Sequence, residues 1–167
     1  MVAYSIYDQT IQACNRSLGC VISSLLCHCD TDEVSTFWIL VSLLENYEMR
    51  SFYQKGLPGV ALYGEVLMSL MSIHLKDLHT IFQQYDVSYF TFFESWVKEL
   101  FTGQMPLSLQ GKFIGNFLCY QWSYFFRVCL SLLVALEKEI KHLANPKQSK
   151  KKVQQDIVDL LRLITPS

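Results

Sequence analysis

The 167-residue chain has the length of one domain, and its composition excludes a disordered, highly charged protein. Apolar residues make up 51% of the chain, aromatic residues 14% and charged residues 17%, which is enough apolar material for a large core. The 7 glycines and 4 prolines are too few for an all-β protein with many tight turns. A net charge of −1 provides no overall field for nucleic acid.

Helical periodicity and turn residues predict an all-α chain of consecutive helices. Gly56-Leu57-Pro58-Gly59 and Gly103-Gln104-Met105-Pro106 are the clearest breaks. The predicted helices cover residues 1–11, 15–27, 33–50, 74–85, 90–101, 107–118, 123–144 and 153–164. We expect three parts: a helical domain over residues 1–144, a basic linker over 145–152 and an amphipathic helix within 153–167.

The third predicted helix begins after an acidic segment. Asp30 is the expected N-cap, and Glu33 three residues later can reach back to it, as in a capping box. The expected apolar face of this helix contains Val34, Phe37, Trp38, Val41 and Leu44.

The charge is unevenly distributed along the chain. Residues 1–136 hold 7 basic and 11 acidic side chains, whereas residues 137–167 hold 7 basic and 4 acidic ones. The basic C-terminal segment includes Lys150-Lys151-Lys152, a run typical of a solvated linker or of a surface for acidic lipid or protein.

No cofactor or metal site is predicted. Zinc ligands usually occur as two spaced pairs, whereas Cys27-His28-Cys29 is a run of adjacent residues that would point in different directions on a helix. We therefore expect free thiols at the six cysteines. The sequence also contains no glycine-rich phosphate loop and no nucleophile elbow.

A membrane span is not predicted either. The most apolar region, residues 113–136, contains Arg127 near its centre, where a charge in a bilayer is unfavourable.

An ordered series of short motifs indicates a known family. The series consists of Phe37-Trp38, Phe52, Gly56-Leu57, Leu75-Lys76-Asp77-Leu78, Trp96, Leu100-Phe101, Met105-Pro106-Leu107 and Phe126-Arg127-Val128. In order and spacing it resembles the TBC domain, the all-helical GTPase-activating domain for Rab proteins. The resemblance covers residues 3–144 and corresponds to the later two-thirds of that domain.

The resemblance implies a two-finger mechanism on a Rab-type GTPase. In TBC domains an arginine from an I-x-x-D-x-x-R motif offsets charge on the γ-phosphoryl group, and a glutamine from a Y-x-Q motif orients the attacking water. An arginine finger of this kind increases the rate by about 10³–10⁵. The resemblance also implies a cytoplasmic protein at the periphery of endomembranes that regulates vesicle trafficking.

Neither finger is matched in this chain. The family reads I-G-Y-C-Q-G-M-N where this chain reads Ile11-Gln12-Ala13-Cys14-Asn15-Arg16-Ser17-Leu18. Asn15 therefore stands at the glutamine position, one methylene shorter, and Ala13 at the tyrosine position. Arg16 is the candidate for a substitute finger. If the chain is instead aligned so that Leu18-Gly19 matches the family's Q-G pair, the glycine is matched but the glutamine is still missing.

Three smaller departures accompany these. The family's W-D pair is Ile114-Gly115 here, a downstream family glycine is Gln121, and a family proline is Lys76. We expect them to leave the helical pattern intact.

Three functional hypotheses remain open. In the first, the chain is a catalytically impaired regulator that binds a Rab. In the second, it is an active GTPase activator whose arginine comes from an upstream segment or from another chain. In the third, it is a helical interaction scaffold without GTPase contact, with a helical protein covering its exposed apolar surface. Because both fingers are unmatched, we expect weak activity or none.

Overall fold

The structure is a computed structural model that describes residues 15–144 and 148–162. These residues form eight α-helices and a 3₁₀ helix, and no strand occurs among them, which confirms the all-α prediction. The α-helices are α1 (Arg16–His28), α2 (Glu33–Glu45), α3 (Pro58–His74), α4 (Lys76–Gln84), α5 (Phe90–Glu99), α6 (Leu107–Ala135), α7 (Glu137–Leu143) and α8 (Lys150–Arg162), and the 3₁₀ helix is Met49–Phe52. The helix predicted over residues 1–11 lies outside the described residues.

Helix α2 is capped by a different aspartate from the one predicted. The Asp32 carboxylate accepts from the backbone N–H of Val34 at 3.0 Å and from the Ser35 hydroxyl. Asp30 instead has a left-handed backbone, with φ 50°, and lies in the turn before the cap. The prediction of Asp30 was wrong because two aspartates two residues apart both fit the cap pattern.

The buried face of α2 also differs from the expected one. Thr36, Leu40, Leu43 and Leu44 are buried, whereas Val34 and Trp38 are 66% and 64% exposed. Apolar residues occur on every side of this helix, so periodicity alone could not select the buried side. In the structure α2 packs against α1 and the 3₁₀ helix.

Helix α5 is central to the fold. It contacts α1, α3, α8 and the 3₁₀ helix, and Phe92, Phe93, Trp96 and Val97 are fully buried on it. Trp96 packs against Phe101 with ring centroids 5.3 Å apart. Trp96, Leu100 and Phe101, three residues of the motif series, are thus part of the core.

Helix α6 is bent at Gln121, whose φ of 55° and ψ of −146° are not helical. Two hydrogen bonds brace the bend from the end of α2: Trp122 Nε1 donates to the Tyr47 carbonyl at 3.0 Å, and the Tyr47 hydroxyl donates to the Leu118 carbonyl at 2.7 Å. The expected break between residues 118 and 123 is thus present, although a second break at Leu136 separates α6 from α7.

By length and composition, α6 is also the one helix among the described residues that could cross a membrane. Core helices of globular proteins can have the same length and apolar composition. The bend at Gln121 divides α6 into two shorter segments, so its length alone does not show a span.

The C-terminal helix α8 packs against α5 and α7. Its apolar residues Val153, Ile157, Val158 and Leu161 are buried, and Gln154 Nε2 donates to the Asp86 carbonyl at 2.6 Å. The helix begins at Lys150, so the three lysines expected in a linker belong to its first turn.

Candidate functional site

Asn15, which the resemblance places at the family's glutamine position, is the N-cap of α1. Its backbone is extended, with φ −84° and ψ 115°, and its side-chain Oδ1 accepts from the backbone N–H of Leu18 at 3.2 Å. Asparagine is among the best N-cap residues because this bond satisfies a donor that the helix leaves free. The carboxamide of Asn15 is therefore turned toward its own helix.

Arg16 is the first residue of α1 and is exposed. It lines an open groove of about 450 Å³ between the start of α1, α5, the turn after α5 and the end of α8. We name this the α1–α5 groove, and its polar lining includes Arg16, Ser17, Glu94, Glu99, Gln104 and Arg162. Ile11, Ala13 and Cys14 of the same motif lie outside the described residues.

The α1–α5 groove is shaped by the turn that ends α5. Leu100 and Phe101 both have left-handed backbones, with φ 46° and 58°, so the chain reverses directly after Glu99. The reversal brings Gln104 back, and its Nε2 donates to Glu99 Oε2 at 2.9 Å.

The two carboxylates of the groove are held by neighbours. Glu99 Oε1 accepts from the Ser17 hydroxyl at 3.2 Å, which links α5 to α1. Glu94 forms an ion pair with Lys98 one turn along α5, at 3.0 Å. These contacts fix the acidic side of the groove.

Arg162 enters the α1–α5 groove from α8, a contribution that sequence reasoning missed. Its Nε donates to the Thr91 carbonyl at 2.8 Å. Nothing in the local sequence pairs Arg162 with Arg16. The only signal was the amphipathic pattern of residues 153–164, which predicts a docked helix without predicting its location.

A second groove, also of about 450 Å³, follows the other side of α1. Cys20, Ser24 and Cys27 line it, together with Gln110 of α6. Burial, followed by the nearby Glu99 carboxylate, raises the pKa of the Cys20 thiol, so this thiol is a poor nucleophile at neutral pH.

The Cys27-His28-Cys29 run forms a packing contact between helices. His28 Nδ1 lies 2.7 Å from the Ser24 carbonyl and Nε2 lies 3.2 Å from the Leu107 carbonyl, so the ring bridges α1 and α6. Within residues 15–144 and 148–162 no group of three or more potential metal ligands occurs. The described cysteines, Cys20, Cys27, Cys29, Cys119 and Cys129, are free thiols.

Comparison with known proteins identifies the family of this helical array. The family model described as the Rab-GTPase-TBC domain matches residues 1–141. The chain is 29% identical over 141 residues to the Rab GTPase-activating protein eat-17 of Caenorhabditis elegans. The aligned stretch covers 84% of this chain and 15% of that protein. It is 29% identical over 143 residues to TBC1 domain family member 2B of Mus musculus, which covers 86% of this chain and 14% of that protein.

A third relative extends the similarity to α8. TBC1 domain family member 10A of Mus musculus is 26% identical over 166 residues, which is 98% of this chain and 31% of that protein. The chain thus spans less than a third of the length of each of these relatives. The helical architecture, the ordered motifs and the match over residues 1–141 lead to one conclusion: the chain belongs to the Rab-GTPase-TBC domain family.

Proposed function

We propose that this chain binds a Rab-type GTPase and accelerates GTP hydrolysis weakly or not at all. The observation that carries the proposal is the state of Asn15, whose Oδ1 caps α1 through the Leu18 N–H at 3.2 Å. An amide that orients water needs a free oxygen and a side chain long enough to reach that water. Here the oxygen is hydrogen-bonded within its own helix.

The geometry of the asparagine supports weak activity independently of the cap. Its side chain is one methylene shorter than glutamine, and a displacement of about 1 Å at a catalytic group can lower the rate on the order of 10²-fold. Arg16 follows where the family has glycine, and Asn15 is not among the residues that line the α1–α5 groove.

Retained binding is supported by the preserved scaffold. The core around α5 is intact, with Trp96 and Phe101 buried, and the family match over residues 1–141 covers the described helices up to α7. The binding surface of such a domain depends on this helical framework, whereas catalysis depends on a few side chains.

Equilibrium binding tests the proposal. We would measure affinity by biolayer interferometry against a panel of Rab proteins loaded with GDP or with a non-hydrolysable GTP analogue. We expect at least one GTP-form Rab to bind with a Kd on the order of micromolar. If no Rab in the panel binds, the proposal is contradicted and the interaction scaffold is favoured.

A matched pair of variants at residue 15 separates the capping role of Asn15 from a direct contact of its amide with the GTPase. Asn15→Ser keeps a neutral cap oxygen and removes the amide, whereas Asn15→Ala removes both. We expect Asn15→Ser to bind a Rab within about twofold of the wild type, because serine caps nearly as well as asparagine. A large loss of affinity in Asn15→Ser would instead show that the amide contacts the GTPase.

A further inference from the structure

We propose that Glu99 is a positioning residue whose carboxylate holds the first turn of α1 against the end of α5, and that it thereby sets how Asn15 and Arg16 are presented to the bound GTPase. The inference rests on the proposed function, because it concerns the same end of α1. It makes partner binding depend on a side chain that lies outside the family motif at residues 11–18.

The Glu99 carboxylate ties the first turn of α1 to the last residue of α5. Its Oε1 accepts from the Ser17 hydroxyl at 3.2 Å, across 82 positions of the chain, and Ser17 is two residues after the cap Asn15. Burial, followed by the nearby Glu99 carboxylate, raises the pKa of the Cys20 thiol, which is one turn further along α1. The side chain of Glu99 therefore lies along the beginning of α1.

The backbone that carries Glu99 has little freedom to move. Its carbonyl accepts from the backbone N–H of Thr102 at 2.9 Å and from the Thr102 hydroxyl at 2.6 Å. The carbonyl of Lys98 accepts from the hydroxyl of the buried Tyr53, and Leu100 is fully buried. Because this segment is held from several sides, it can serve as a fixed support for α1.

The turn after α5 orients the carboxylate itself. Gln104 Nε2 donates to Glu99 Oε2 at 2.9 Å, while Oε1 accepts from Ser17. Gly103 leaves room for this arrangement, because a Cβ at that position would overlap Oε2. One carboxylate is thus bonded to two segments, and hydrogen bonds to a charged acceptor are stronger than those between neutral groups.

A less firmly held first turn would weaken partner binding in a defined way. If this turn left its docked position for part of the time, the apparent Kd would rise in inverse proportion to the docked fraction. Glu94 lines the same groove but is paired with Lys98 on its own helix. The effect is therefore expected for Glu99 and not for Glu94.

Hydrogen exchange tests the anchor without any partner. The backbone N–H groups of Leu18 and Gly19 bond to the side chain and the carbonyl of Asn15. In Glu99→Ala we expect both amides to exchange about fivefold faster than in the wild type, with the last turn of α1 unchanged. Glu94→Ala is the matched control and should alter neither end. Equal acceleration along the whole of α1 would show a general loss of stability and overturn the inference.

Affinity for a GTP-form Rab that binds the chain tests the consequence. We expect Glu99→Ala to raise Kd by about threefold or more, and Glu94→Ala to change it by less than about twofold. Glu99→Gln keeps an oxygen that can accept from Ser17, so its Kd should stay within about twofold of the wild type. If the glutamine and alanine variants lose affinity equally, the charge itself contacts the GTPase and the positioning role is wrong.

Two more variants test the route through Ser17. If Glu99 acts through this hydroxyl, Ser17→Ala combined with Glu99→Ala should bind no more weakly than Glu99→Ala alone. Gly103→Ala should reproduce the loss of affinity, because its Cβ displaces the flexible end of the Glu99 side chain, and thermal unfolding checks that its fold is retained. Additive losses in the double variant would contradict the proposed route.

The failures of the two proposals are distinguishable. If Glu99→Ala equals the wild type in both exchange and affinity, the inference fails and the proposed function stands. If no Rab binds the wild-type chain, the proposed function fails, and with it the presentation of Asn15 and Arg16 to a GTPase.

Discussion

At the scale of single residues, Gln121 has a backbone conformation that glycine adopts far more readily. Its φ of 55° and ψ of −146° lie in a region that is strained for residues with a Cβ, at about 1–3 kcal/mol. The TBC resemblance expects a glycine at this position. The strain therefore follows from a substitution in the sequence, while the bend itself is kept by the Tyr47 and Trp122 hydrogen bonds.

Gln121→Gly should relieve this strain. We expect its free energy of unfolding to rise by about 1 kcal/mol in urea denaturation, because glycine has no Cβ to clash at positive φ. Gln121→Ala is the control and should give no gain. Equal stability of the glycine and alanine variants would show that the bend is not strained.

Residue 15 shows how far sequence reasoning reached at the site. The motif order places Asn15 and Arg16 at the family's glutamine and glycine positions, and the shorter amide is visible in the sequence. The capping bond to Leu18 also follows from the sequence, because an asparagine at the start of a predicted helix is a preferred N-cap. Arg162 could not be found because its position depends on where α8 docks.

At the scale of elements, Gly64 allows α3 to lie close to Tyr89, the residue directly before α5. A Cβ at this position would overlap the ring of Tyr89. That ring has little freedom to move, because its hydroxyl donates to Glu65 Oε1 at 3.1 Å and the ring stacks on Phe90.

Gly64→Ala should therefore lower the free energy of unfolding by about 1–3 kcal/mol, as overpacking does. Gly115→Ala is the matched control, since a Cβ at Gly115 meets nothing within 4 Å. In α6 this control should be stabilising by about 0.5–1 kcal/mol, because alanine favours helix. Similar losses in both variants, measured by thermal or urea unfolding, would contradict the packing argument.

The elements differ in how well the sequence predicts them. Helix α5 was predictable because Phe93, Trp96 and Val97 fall on one face and are buried there, although Phe90 at its start is 38% exposed. Helix α2 was predictable as a helix, but its buried side was not, because it is apolar all round. The end of α3 and the start of α4 at Leu75 form a break without glycine or proline, so the sequence predicts a helix from residue 74 but does not delimit α3 before it.

At the scale of the whole molecule, the exposed apolar side chains of α2 bear on association. Val34 and Trp38 are one turn apart and are 66% and 64% exposed. Clusters of this kind favour contact with a partner or with another copy. A helical protein partner that covers apolar surface is thus a proposal that the exposed side of α2 supports.

We expect the isolated chain to self-associate at micromolar concentration, with a mass above 19.4 kDa in light scattering. Trp38→Gln should reduce the association, because it removes the largest exposed apolar group of α2. Tyr120→Gln is the control, at another exposed aromatic residue on α6. A clean monomer of the wild-type chain would contradict this expectation.

The central claim is that the chain binds a Rab without the chemistry that accelerates hydrolysis. Single-turnover GTP hydrolysis by a Rab that binds the chain, with the chain in saturating excess, measures it most directly. We predict an acceleration below about tenfold, or roughly 1.4 kcal/mol of barrier. A larger acceleration that disappears in Asn15→Ser, which keeps the cap oxygen, would contradict the claim and show that Asn15 acts as a working amide finger.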